Sequence, residues 1–96
     1  MLVLIHFDWF GSAEELKEGD EAMKKACAET NGVEYKGRYS PLERKFHWTN
    51  VFELEDLDYG KVRKAGARAR EIMGEKIDQK KHPYASVSLF SGPYNK

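Results

Sequence analysis

Four titratable side chains stand out from an otherwise ordinary surface population: His6, Asp8, His47 and Glu53. A histidine titrates near neutral pH, and a carboxylate beside it can hold the imidazole in one tautomer, so such a group can give or take a proton. The residues lie in two stretches, LVLIHFDWF (2–10) and KFHWTNVFELED (45–56). In the second, alternate positions Phe46, Trp48, Asn50, Phe52 and Leu54 form a mostly apolar row. His47, Thr49, Val51, Glu53 and Glu55 form a mixed row behind it. The spacing of a strand with two different faces is therefore present, and the chemistry sits on one of them.

The elements that must position these residues follow from the pattern. Residues 2–10 are β-branched, leucine or aromatic at most positions and stop at Gly11, which predicts a first strand. Ser12 with Glu15 three residues on has the spacing of a reciprocal cap, predicting a helix that ends near Thr30 before Asn31-Gly32. Its inward stripe is Leu16, Gly19, Ala22, Met23, Ala26 and Cys27. Val33 to Ser40 alternates Val33, Tyr35, Gly37 and Tyr39 with Glu34, Lys36 and Arg38, predicting an edge strand joined to the 45–56 strand as a hairpin. Asp56 or Asp58 caps a second helix with the stripe Val62, Ala65, Gly66, Ala69, Ile72, Met73 and Ile77. His82-Pro83 ends the connection, Ala85 to Ser91 forms a fourth strand, and a polar tail begins at about residue 92.

The order is βαββαβ in a single domain, 1–96. Right-handed crossovers place strands one and three in the centre of a four-stranded antiparallel sheet, with both helices on one face. Paired positions of the two central strands then sum to about 55, which sets Val3, Ile5, Phe7 and Trp9 beside Phe46, Trp48, Asn50 and Phe52, under the helices. Leu2, Leu4, His6 and Asp8 are left beside His47, Thr49, Val51 and Glu53 on the opposite face, with Ser86, Ser88 and Phe90 of strand four. Asp8 falls near His47, and His6 near Thr49. That face is too apolar for water and too polar for ordinary core, so it needs a cover.

The βαββαβ order, the opening MLVLIHF and the acidic VFELEDLD turn before the second helix resemble the dimeric α+β barrel (ferredoxin-like) superfamily. The resemblance implies that a second copy covers the open face and that a pocket lies there. The superfamily holds cofactor-free monooxygenases, haem-degrading enzymes, isomerases, sensing modules and stand-alone domains, so fold alone names no reaction. Asn50 and Trp48 resemble the Asn and Trp of haem-degrading members, but the register puts them on the helix side, and no haem role is carried over.

Composition limits the remaining classes. Sixteen basic residues balance sixteen acidic ones, which leaves no overall field for nucleic acid or anionic lipid. The basic run Lys61 to Arg70 has no interleaved aromatic residue for base stacking and reads as a solvated face complementary to the more acidic first helix. One cysteine, Cys27, on an inward stripe, excludes an internal disulfide framework and suits a cytoplasmic protein. The run LVLI is broken by His6 and Asp8, so no signal or membrane span is read there. No HxH or HExxH spacing supports a metal, and neither metal nor cofactor is expected.

Two functions fit these observations. One is a homodimer binding a small, partly apolar molecule at the sheet face, as a cofactor-independent monooxygenase- or isomerase-like protein. His6, Asp8 and His47 are then the acid–base group, and Thr49, Glu53, Ser88 and Tyr39 orient the ligand. The other is a non-catalytic structural or regulatory dimerisation module.

Overall fold

The computed structural model describes residues 1–43, 45–77, 80–81 and 86–92, with the backbone only for Glu75. The expected turn at His82-Pro83, the strand start at Ala85 and the tail from Pro93 onward lie outside the described residues. Six main elements follow one another: β1 (Leu2–Phe7), α1 (Ala13–Ala28), β2 (Val33–Tyr39), β3 (Trp48–Leu54), α2 (Gly60–Met73) and β4 (Ser86–Phe90). The sheet order is β2-β3-β1-β4 with every neighbouring pair antiparallel, which is the ferredoxin-like arrangement. Among the described residues no helix is long and apolar enough to cross a membrane.

The α1 start is the reciprocal cap that the Ser12/Glu15 spacing predicts. Ser12 Oγ accepts the Glu15 N–H at 3.0 Å, and the Ser12 N–H donates to Glu15 Oε1 at 3.2 Å. After the helix, Thr30 Oγ1 donates to the Ala26 carbonyl and Gly32 takes a φ of 82°, a value that a side-chain-bearing residue rarely adopts. The second helix begins differently from the expectation. Tyr59 is its N-cap and makes no side-chain cap bond; Asp58 Oδ1 instead accepts the Gly60 N–H at 3.0 Å, while Asp56 Oδ1 accepts the Asp58 N–H. Two consecutive side-chain turns thus lead into the helix, and neither aspartate occupies the cap itself. Gly74 (φ 60°) ends α2, a 3-10 turn Gly74–Lys76 follows, and Ile77 packs on the core from beyond the helix.

Every β1–β3 pair sums to 55, from Leu2 opposite Glu53 to Phe7 opposite Trp48. Val3 and Phe52 are therefore on one face, and both are fully buried in a cluster with Ala22, Ala26 and Cys27 of α1 and Val62, Ala65, Ala69 and Met73 of α2. Both helices cover this face. Alanines at the contact let the helix backbones come close to Phe52 and Val3, and the buried phenylalanine alone contributes about 1.5–3 kcal/mol by leaving water.

Four expectations are corrected by the packing. β1 ends at Phe7, so Trp9 and Phe10 lie outside the strand; the Trp9 indole N–H donates to the Ser12 carbonyl, and Phe10 is 62% exposed. Phe46 precedes β3 and stacks on His6, joining the open face rather than the helix side. Ile72 is exposed at the edge of the α2 stripe. In β2 the alternation breaks at a bulge: Tyr35 stands opposite Phe52, but Gly37 stands opposite Val51, so Lys36 is an inserted residue. Gly37 has a φ of 119°, which supplies the backbone for that insertion.

Candidate ligand site on the open sheet face

Three rungs cross the face turned away from the helices. Tyr39, Thr49, His6 and Ser86 form the first, Gly37, Val51, Leu4 and Ser88 the second, and Glu34, Glu53, Leu2 and Phe90 the third. Gly37 contributes no side chain, so the side chains of the middle rung are those of Val51, Leu4 and Ser88. Glutamates close one end. Glu34 opposite Glu53 is a like-charge pair, and Lys36 Nζ, 3.3 Å from Glu34 Oε1, offsets part of the repulsion.

His6 is the centre of the polar rung. It is 3% exposed although α1 and α2 both pack on the other face of the sheet. Phe46 lies over the ring, with centroids 6.0 Å apart and planes at 19°. Nδ1 is 2.7 Å from Thr49 Oγ1 and Nε2 is 3.3 Å from Ser88 Oγ. Hydroxyls both donate and accept, so these two partners satisfy either neutral tautomer and also the imidazolium.

Asp8 and His47 continue the register one step beyond the first rung. Asp8 Oδ1 accepts the main-chain N–H of His47 at 3.1 Å, and lies 3.8 Å from His47 Nδ1. That nitrogen instead accepts the Trp9 N–H at 3.2 Å, which places the proton of the neutral ring on Nε2. Phe10 packs edge-on against the same imidazole, centroids 5.3 Å apart. The pair is thus assembled, but the carboxylate fixes the backbone rather than the ring tautomer. Both side chains remain partly open to solvent.

The expected site residues consequently fall into three places. His6, Thr49 and Ser88 are joined by hydrogen bonds; Asp8 and His47 form a separate pair at the strand ends; Tyr39 and Glu53 stand at the rim of the face. Tyr39 reaches the open face only because of the bulge, since unbroken alternation from Tyr35 would turn it toward the helices.

A second polar group lies under the sheet. The Arg38 Nε–H donates to Asn50 Oδ1 at 2.8 Å and its Nη1–H to the Leu16 carbonyl at 2.8 Å, while the guanidinium sits over the Phe7 ring at 5.3 Å. The Tyr35 hydroxyl donates to Asp20 Oδ1 at 2.5 Å and also approaches Asn50 Oδ1 at 3.2 Å. Burial first, and then the bond to Asp20, push the Tyr35 hydroxyl well above the usual phenol range. This network ties β2 and β3 to α1. The signals for it were Asn50 in an apolar row and Gly37 inside a strand, where an isolated glycine marks a bulge.

Elsewhere, a shallow groove between the end of α1 and the start of α2 is lined by Glu29, Asn31, Asp58, Lys61 and Lys64. Two of its four charges are paired, Lys61 with Asp56 at 2.8 Å and Glu29 with Arg68 at 2.9 Å. The latter pair is a direct link between the basic helix and the end of its acidic neighbour. No group of three or more His, Cys, Asp and Glu side chains among the described residues could hold a metal ion. Neither a protein-family model, nor a curated protein, nor a solved structure matches the chain.

Proposed function

We propose that the chain works as a homodimer of the dimeric α+β barrel kind, whose facing sheets enclose a small, partly apolar molecule. The observation that carries this reading is the hydrogen-bonded His6–Thr49–Ser88 group on a face whose neighbouring apolar side chains, Leu2, Leu4 and Val51, remain only half-buried. Half-covered apolar residues favour a second copy, because removing them from water stabilises the assembly by about 25 cal/mol for each Å². The missing side chain at Gly37 leaves room between the copies. His47, with its Nε2–H directed away from the Trp9 contact, and the carboxylate of Asp8 are the proton-transfer groups at the mouth; Thr49 and Ser88 orient His6, and Tyr39 and Glu53 contact the ligand from the rim.

One observation favours the non-catalytic reading of the same interface: both His6 nitrogens are already bonded inside the fold. Sedimentation equilibrium with Val51→Lys tests the common element. A lysine in the middle rung is expected to halve the native mass while leaving the circular-dichroism spectrum intact, and an unchanged mass refutes the interface. A thermal-shift panel of small aromatic and carboxylic compounds then separates the two readings. Binding that is lost in His47→Ala, with the native mass retained, supports the ligand site; no binder to the wild-type assembly supports the dimerisation module.

A further inference from the structure

The two edges of the sheet are built differently. β2 carries Glu34, Lys36 and Arg38 and is distorted by the bulge at Lys36, devices that keep an open strand from pairing with another chain. β4 reads SVSLF: it has no charge, proline or glycine, and its register with β1 is unbroken from Ser86 to Phe90. It is a terminal strand of the sheet, and Leu89 and Phe90 are 53% and 51% exposed.

We propose that β4 pairs antiparallel with β4 of a second copy about a two-fold axis through Ser88. This register uses all five residues of the strand. Ser88 stands opposite the partner's Ser88, Val87 opposite the partner's Leu89, and Ser86 opposite the partner's Phe90. Directly opposed residues of an antiparallel pair point to the same side, so Val87 and the partner's Leu89 meet on the helix side and both helix layers stay on one face of a continuous sheet. A slip of one residue would place a helix-side residue against an open-side one and is excluded by the same rule. Two uncharged strands also meet without placing a charge in the new ladder.

The pairing completes the candidate site, a consequence that rests on the open-face reading. Ser86 is in the rung of His6, so the partner's Phe90 adds an apolar wall at the end of that rung. When both β4 edges of one face-to-face dimer pair with the edges of a single second dimer, the two-fold axes meet and the assembly closes at four copies.

Sedimentation equilibrium and disulfide trapping on the full chain test this. The wild type is expected at about four times 11.1 kDa. Leu89→Lys, a change at a half-exposed position, is expected to give two copies. Ser88→Cys is expected to link on mild oxidation, since directly opposed residues lie within the Cα separation that a disulfide needs. Linking should persist in the Val51→Lys background and vanish with Leu89→Lys; Ser12→Cys is the unlinked control, and Cys27 is buried. The proposal is overturned if Leu89→Lys leaves the wild-type mass unchanged, or if Ser88→Cys stays unlinked when Val51 is lysine; a β4 edge that takes a foreign peptide strand instead would give that second result. Should Leu89→Lys halve the mass while Val51→Lys has no effect, the edge stands and the face interface falls.

Discussion

Thr49→Val is the sharpest probe of the polar rung. The substitution keeps the side-chain shape and removes only the hydroxyl that sits 2.7 Å from His6 Nδ1, at a position 4% exposed beside a ring 3% exposed. A buried ring nitrogen left without its partner costs about 1–3 kcal/mol, because the group lost its water on folding and regains nothing. At about 4–8 °C per kcal/mol for a domain of this size, a cost of ~2 kcal/mol lowers the melting temperature by about 8–16 °C. His6→Phe, which preserves a ring for Phe46 to cover, strands the Thr49 hydroxyl in the same way. The double variant replaces both partners by apolar groups, so its cost should fall below the sum of the singles by about 1–2 kcal/mol. Urea unfolding followed by the fluorescence of Trp9 and Trp48 measures each corner of the cycle. All four proteins are compared at one concentration, because self-association adds to apparent stability. Single costs below about 0.5 kcal/mol, or a double variant equal to their sum, would show that the Nδ1–Oγ1 contact does not hold the ring, and the reasoning about this face would fail with it.

Asn50→Ala removes the acceptor shared by Arg38 and Tyr35 and should destabilise by about 1.5–3 kcal/mol in urea unfolding, since a charged donor loses its bond; a loss under about 0.5 kcal/mol would contradict the network. Acid should loosen the surface links in a predictable direction. Hydrogen bonds from Lys81, Arg68 and Lys61, respectively, hold Glu15, Glu29 and Asp56 below their ordinary carboxylate values. Folded values below the unfolded ones mean stability that is complete above about pH 4–5 and is lost as pH falls through the lowered values. Thermal melts between pH 6 and 3 should show this loss, reduced in high salt because these carboxylates are exposed; stability that rises on acidification would contradict it. Burial pushes the Cys27 thiol up to about 11, so a thiol reagent at pH 8 should label it only as the protein unfolds, and prompt labelling of the native protein would place it elsewhere than the core.

Register was legible because two rows of different character had to match. Val3, Ile5 and Phe7 could share a face with Trp48, Asn50 and Phe52 only when paired positions summed to an odd number, and the β1–β3 ladder has that parity. The placement of Thr49 against His6, and of Asp8 against His47, followed from it. Residue type alone misled at the strand ends. Trp9, Phe10 and Phe46 have strand-favouring side chains, yet the Trp9 indole turns to bond the Ser12 carbonyl three residues on, and the Phe46 ring stacks on His6, a tertiary contact with no local signature. The start of α2 is partly visible in the sequence: the two aspartates mark where the helix begins, but their turns precede the cap instead of forming it.

The bulge had the largest effect on chemistry. One inserted residue at Lys36 reverses the faces of everything after it in β2, turning Arg38 down toward Asn50 and the Leu16 carbonyl and Tyr39 up toward the Thr49–His6 rung. Without that residue, Arg38 would stand on the open face and the Asn50 carbonyl would lose its charged donor under the helices. A single glycine with a φ of 119° therefore accounts for a buried network on one side and a rim aromatic on the other. It also distorts β2 as an edge, the property that β4 lacks. The same local feature thus sets which face carries the candidate site and which edge is left able to pair.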